Sequence, residues 1–147
     1  MTVHSLQRAR VSLTIRTTPE RAFDAWLDPA LARQFMAGGA DQRVAVFETD
    51  PREGGAFRVD MTDGQRTLVH EGQYVVIDRP NRLVFTWISA GTDLRLSLVS
   101  ITFTAVAGGV RLDLEHEGIP DDARAAGHVR GWTAILTKLQ SLQEARA

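Results

Sequence analysis

Cysteine is absent from all 147 residues. Its absence excludes disulfides, thiolate zinc sites, iron–sulfur clusters and cysteine nucleophiles. There is no excess of either charge: 17 Lys+Arg face 18 Asp+Glu, a formal charge of -1 with pI near 6.4. Such a balance supplies no strong basic field, so neither nucleic acid nor an anionic membrane is an expected partner. No run approaches the ~18 apolar residues of a membrane helix. The opening MTVHSLQRAR has no apolar stretch, so no secretory leader is expected and the expected compartment is the cytoplasm. Repeats, low-complexity segments and linkers are missing as well, and residues 1–147 read as one domain.

Several chemical motifs are also missing. There is no H-E-x-x-H, and His70, His116 and His128 fall on three separate elements without metal-ligand spacing, so no metal is expected. Gly54-Gly55 and Gly108-Gly109 read as turns rather than phosphate loops, and no G-x-S-x-G elbow occurs. No cofactor is expected.

What is present is ordinary in amount and informative in order. Hydrophobic residues make up 44% and mean hydropathy is -0.14, typical of a globular chain. A chain this long buries about two-thirds of its unfolded surface, so it needs no covalent staple. Residues 10–16 alternate polar and apolar, as a half-buried strand does. Thr17-Thr18-Pro19-Glu20 then combines a cap, a first-turn proline and an acid, a helix start. Asp28-Pro29 ends that helix and opens a second short one through Leu31, Phe35 and Met36, which Gly38-Gly39 stops.

From there the period is two. Strands are expected over 43–49, 56–62, 67–77, 82–88, 95–105 and 110–117, with Asp63-Gly64 forming a tight hairpin. After Gly118-Ile119-Pro120, a helix from about Asp122 to Ala145 carries Val129, Trp132, Leu136 and Leu139 at helical spacing. The expected fold is α+β: a curved seven-stranded antiparallel sheet wrapped around a long C-terminal helix, with two short helices between strands one and two. Such a sheet must bury one face against that helix, and the space between them suits a ligand.

The chain resembles the helix-grip, START/Bet v 1-like (SRPBCC) superfamily, and within it the Hsp90 ATPase activator homologue family of small bacterial proteins. The resemblance spans about residues 10–143. Its carriers are the run Thr18 to Trp26, the Gly54-Gly55-Ala56-Phe57 turn, Glu71-Gly72-Gln73-Tyr74, the run Asp78 to Trp87, His116-Glu117-Gly118, and Gly131-Trp132 with Leu136 and Leu139. It implies one of three functions: binding a hydrophobic ligand, cyclising a polyketide, or assisting a chaperone ATPase. The resemblance ties the chaperone activity to an additional N-terminal domain that these residues do not include. Fold alone does not choose among the three.

Alternation assigns the inward faces. The expected cavity wall is Phe57, Val59 and Met61; Phe85 and Trp87; Val99, Ile101 and Phe103; and Leu114 with His116. Trp26, Phe35, Met36, Tyr74, His128 and Trp132 complete the expected ligand-binding set. The strand through Tyr74 is ambiguous, and Gly72 is a candidate bulge.

His116 extends an apolar stripe. It is either a pocket base or, more often for a lone buried histidine, a structural residue with satisfied nitrogens. Glu71 is either a buried acid with a raised pKa or a solvent-facing strand residue. Arg124, His128 and Trp132 share a helix face and are read as a cavity mouth or as a solvated flank beside a core tryptophan.

A small hydrophobic or amphipathic ligand is the preferred partner. The enzyme alternative takes His116, Glu71 and Tyr74 as acid–base candidates on a hydrophobic, polyketide-like substrate, and it requires two of them to reach one cavity. Strand one and the first meander strand are expected sheet edges, which leaves a homodimer open.

Overall fold

The computed structural model describes residues 6–145; the first five residues of the opening segment read above, and the last two of the chain, lie outside them. The elements are β1 (Gln7–Ile15), α1 (Pro19–Asp24), α2 (Pro29–Phe35), β2 (Arg43–Thr49), β3 (Ala56–Thr62), β4 (Thr67–Asp78), β5 (Arg82–Trp87), a 3-10 turn (Ala90–Thr92), β6 (Ser97–Val106), β7 (Gly109–Ile119) and α3 (Asp122–Glu144).

One antiparallel sheet holds all seven strands in the order β1-β7-β6-β5-β4-β3-β2. Its two edges are therefore β1 and β2. The long crossover from β1 carries α1 and α2. Thr18 caps α1 by accepting from Arg21 N–H, and Asp28 caps α2 by accepting from Ala30 N–H. Each cap is followed by proline at the first helical position, where its missing N–H is not needed.

The inner face of the sheet packs on α3. Trp132, Ile135, Leu136 and Leu139 are buried there, while Val129 is one-third exposed and lies off the packed face. Ile135, rather than Val129, completes the apolar stripe. Side chains tie the closing helix to the start of the chain. Thr17 Oγ1 donates to Gln143 Oε1, Gln140 Nε2 donates to the Thr14 carbonyl, and Lys138 Nζ reaches the Ala37 carbonyl. Arg79 forms a bidentate pair with Asp24, pinning α1 to the β4–β5 turn.

Several local expectations need correction. Asp63-Gly64 lies in a hairpin turn as expected but is not itself the tip: Asp63 N–H donates to the Arg66 carbonyl, which leaves Gly64 and Gln65 between them. Thr62 pairs with Thr67, leaving a four-residue loop in which Asp63 Oδ1 accepts from the N–H groups of Gln65 and Arg66. β6 begins at Ser97 because the chain before it turns through the 3-10 segment, capped by Ser89 and followed by Asp93 and Leu94 in the left-handed region. Gly72 is not a bulge. Its register with β3 is continuous, and the register slips instead between Tyr74 and Val76 against β5. A side chain at Gly72 would place Cβ 2.0 Å from the Thr86 carbonyl oxygen and 2.5 Å from the Phe57 ring, which explains the glycine. Burial along β4 resolves the ambiguous strand: His70 and Tyr74 point inward, Glu71 points out, and past the slip Ile77 also packs against the core.

Candidate ligand-binding site

The interior of the helix grip is divided in two. Trp26, Met36, Phe57, Val59, Tyr74 and Phe85 surround a void of only about 10 Å³, room for roughly one water. Phe35, Val99, Ile101, Phe103 and Leu114 are close-packed core with at most 4% exposure. The wide internal cavity expected from the strand parities is therefore filled along most of its length. The reason is aromatic volume: Phe57 contacts Tyr74, Phe85 and Trp87, and Trp26 sits edge-on to Phe35 at 5.1 Å. One polar cost remains inside this packing, because Trp26 Nε1–H is buried without a partner among the described residues.

Open space survives at one end. A cavity of about 390 Å³ lies between the first half of α3, the inner ends of β3 to β5, the 3-10 turn and the segment after α2. Its apolar wall is Met61, Leu68, Trp87, Trp132 and Ile135. Glycines keep it open: Gly38, Gly91, Gly127 and Gly131 all border it. A Cβ at Gly131 would meet no atom within 4 Å, and at Gly127 only the Arg130 guanidinium at 3.7 Å. Helix-interior glycine costs about 1 kcal/mol relative to alanine. No neighbouring atom forces these two positions to be glycine. The void itself accounts for their lack of side chains.

Of the expected ligand-binding residues, Met61, Trp87, His128 and Trp132 line this cavity, as does Arg124. The sequence reading missed His70, Leu68, Ile135 and the two helix glycines. The glycines were a readable signal, being two helix-weakening residues one turn apart beside Trp132. His70 shares parity with Tyr74, a signal masked by the apolar Val69 and Val75 on the opposite, exposed face.

The three acid–base candidates do not converge. His116 is fully buried, and both its ring nitrogens are engaged. Trp132 Nε1–H donates to Nδ1 at 3.0 Å, so Nε2 carries the proton and donates to Ser97 Oγ at 2.7 Å. The Ser97 hydroxyl in turn donates to the Trp87 carbonyl. Burial, with His128 edge-on at 4.7 Å, pushes the His116 pKa down to about 3. This neutral ring has no free lone pair and borders no cavity. Tyr74 Oη shares a 2.7 Å hydrogen bond with Thr49 Oγ1 at the small void, and burial pushes its pKa up. Glu71 is exposed on the outer face of the sheet, opposite Arg58, so its reading as a pocket acid is corrected.

Two other histidines do share one space. His70 Nδ1–H donates to the Val59 carbonyl at 3.2 Å, and His128 Nδ1–H donates to the Arg124 carbonyl at 2.7 Å. Both line the 390 Å³ cavity. Burial pushes the His70 pKa below its ordinary value, the Val59 hydrogen bond opposes this, and His128 nearby lowers it further. Arg124 at the rim is held by Asp121, its partner at the helix cap. Among the described residues, no cluster of three or more His, Asp or Glu side chains forms a metal site.

The model of the Activator of Hsp90 ATPase homolog 1-like proteins matches residues 16–144. The chain belongs to that family. Among solved structures, protein CV1439 from Chromobacterium violaceum is 25% identical, covers 93% of this chain and 96% of its own, and superposes with a TM-score of 0.85. The AHSA1 (SPO3351) protein from Silicibacter pomeroyi is 26% identical over 96% of this chain and 100% of its own, with a TM-score of 0.80. DynU16, described as a putative protein in the dynemicin biosynthetic locus, shares the fold at 20% identity and a TM-score of 0.72, over 91% of this chain and 46% of its own. No curated protein matches the chain. No described helix is long and apolar enough to cross a membrane.

Proposed function

We propose that this family member binds a small, largely apolar molecule in the cavity beside the first half of α3. The reading rests on the 390 Å³ space walled by Met61, Leu68, Trp87, Trp132 and Ile135 and kept open by Gly127 and Gly131. Its size falls in the ordinary range of ligand pockets, roughly 300–1,000 Å³, and its lining is apolar with a few polar groups, as such pockets are. Two tryptophans in the wall give binding an intrinsic optical signal.

Gly131 supplies the test. A leucine there meets no obstacle at Cβ, raises helix propensity, and extends into the cavity. N-phenyl-1-naphthylamine, a neutral fluorescent probe, should bind the wild type saturably at one site and quench tryptophan emission. Gly131→Leu should keep or raise Tm and weaken binding at least about tenfold. Absence of saturable binding by the wild type, or unchanged affinity in Gly131→Leu, would overturn the proposal.

A further inference from the structure

The polarity of the cavity says which kind of ligand it takes. His70 enters it from β4 and His128 from α3. In each, a backbone carbonyl fixes the tautomer: a carbonyl oxygen only accepts, so Nδ1 holds the proton. In its neutral form each ring carries its lone pair on Nε2, and no described residue donates to Nε2 of either ring. Each histidine is thus pre-set as a hydrogen-bond acceptor. A third group complements them. Trp87 stacks on His70 with ring centroids 4.9 Å apart, borders the cavity, is 3% exposed, and has no described acceptor for its Nε1–H. At His70 and Trp87, 9% and 3% exposed, the low local dielectric amplifies the difference between a ligand that satisfies these groups and one that leaves them unpaired.

Resting on the cavity being a ligand site, we propose that it selects a neutral ligand bearing a hydroxyl on an aromatic or otherwise apolar frame, with the ligand O–H donating to Nε2 of His70 or His128. The hydroxyl oxygen retains lone pairs for the Trp87 N–H, so one group satisfies both polarities. An ether in the same place can accept but not donate, and leaves the histidines unpaired. A carboxylate is also disfavoured. It brings no proton to a neutral imidazole, and of the two guanidinium groups on the cavity lining Arg124 is already engaged with Asp121 while Arg130 is exposed, where solvent screens its attraction.

Calorimetric titration with a matched series tests this: 2-naphthol, 2-methoxynaphthalene and 2-naphthoate, against wild type and the variants His70→Phe, His128→Phe and the double variant. Phenylalanine keeps the ring volume and removes the acceptor. The wild type should prefer naphthol over the methyl ether by at least about fivefold, the scale of one net hydrogen bond. The double variant should bind the two equally while still binding the ether. In the wild type, the imidazole nitrogen resonances should report Nε2 accepting a hydrogen bond on naphthol addition and stay still with the ether. Equal affinities in the wild type, tightest binding of the naphthoate, or a preference that survives in the double variant would each overturn the proposal. Binding of none of the three compounds would instead overturn the underlying reading of the cavity as a ligand site.

Discussion

His116 shows how one residue is held by the roles of its neighbours. Trp132 donates to one ring nitrogen and Ser97 accepts from the other. The ring can therefore gain a proton only by breaking the Trp132 hydrogen bond inside a dry core. This fixes the sign of a pH effect. Folded His116 stays neutral to about pH 3, whereas an unfolded histidine takes a proton near 6.5. The unfolded state binds more protons below that point. The stability contribution is thus fully present above about pH 6.5, declines as pH falls, and is gone near pH 3. His70 acts in the same direction, because its folded pKa is also lowered. The decline should reach at most about 1.4 kcal/mol per pH unit for each histidine. Between pH 6.5 and 4.5 the aspartates with lowered pKa contribute little, since their linkage begins near the ordinary value of 3.8. His116→Gln should reproduce both hydrogen bonds without a titrating group. Urea midpoints at pH 7.0, 5.5 and 4.5 should fall less steeply for that variant than for the wild type. An unchanged slope would remove His116 as the source.

At the scale of elements, two glycines illustrate how the same substitution reverses sign with its surroundings. Gly127 lies in α3, where an added methyl would meet only the end of the Arg130 side chain at 3.7 Å. Gly127→Ala should raise stability by about 0.5–1 kcal/mol through helix propensity. Gly72 lies in β4, where the same methyl would strike the Thr86 carbonyl at 2.0 Å. Backbone cannot yield as a flexible side chain does, so Gly72→Ala should cost about 3 kcal/mol or more, or prevent folding. Thermal melts of the two variants check both signs. The elements themselves were legible because caps and parity are local. Thr18-Pro19 and Asp28-Pro29 start their helices where expected, and β2 and β3 match their expected bounds. What local pattern did not reveal was the register slip after Tyr74, which depends on the partner strand. His70 and Tyr74 share the inner parity ahead of that slip; the exposed Val69 and Val75 give the outer face an apolar look, so Glu71 between them reads as a pocket candidate. The Asp63-Gly64 pair points one residue short of the tip, since the two backbone donors that Asp63 gains belong to Gln65 and Arg66.

For the whole molecule, composition sets how much apolar material is present and packing decides where it goes. Alternation marks every inward residue alike, whether it ends in close-packed core or at a cavity wall. Cavity residues such as Met61 and Trp87 were therefore legible as inward but not as separate from Val99 or Ile101. Two leucines one strand apart distinguish the two environments. Leu83 on β5 is 1% exposed and borders only the 10 Å³ void. Leu68 on β4 is partly buried and faces the 390 Å³ cavity. Truncating Leu83 opens a new hole among atoms that cannot close it, whereas truncating Leu68 enlarges a space that already exists. Leu83→Ala should cost about 2–5 kcal/mol in urea unfolding and leave probe affinity nearly unchanged in the folded fraction. Leu68→Ala should cost less than about 1.5 kcal/mol and alter probe affinity. Equal stability losses would mean that the cavity closes around Leu68 in solution, and that core and cavity wall are not separate parts of this fold.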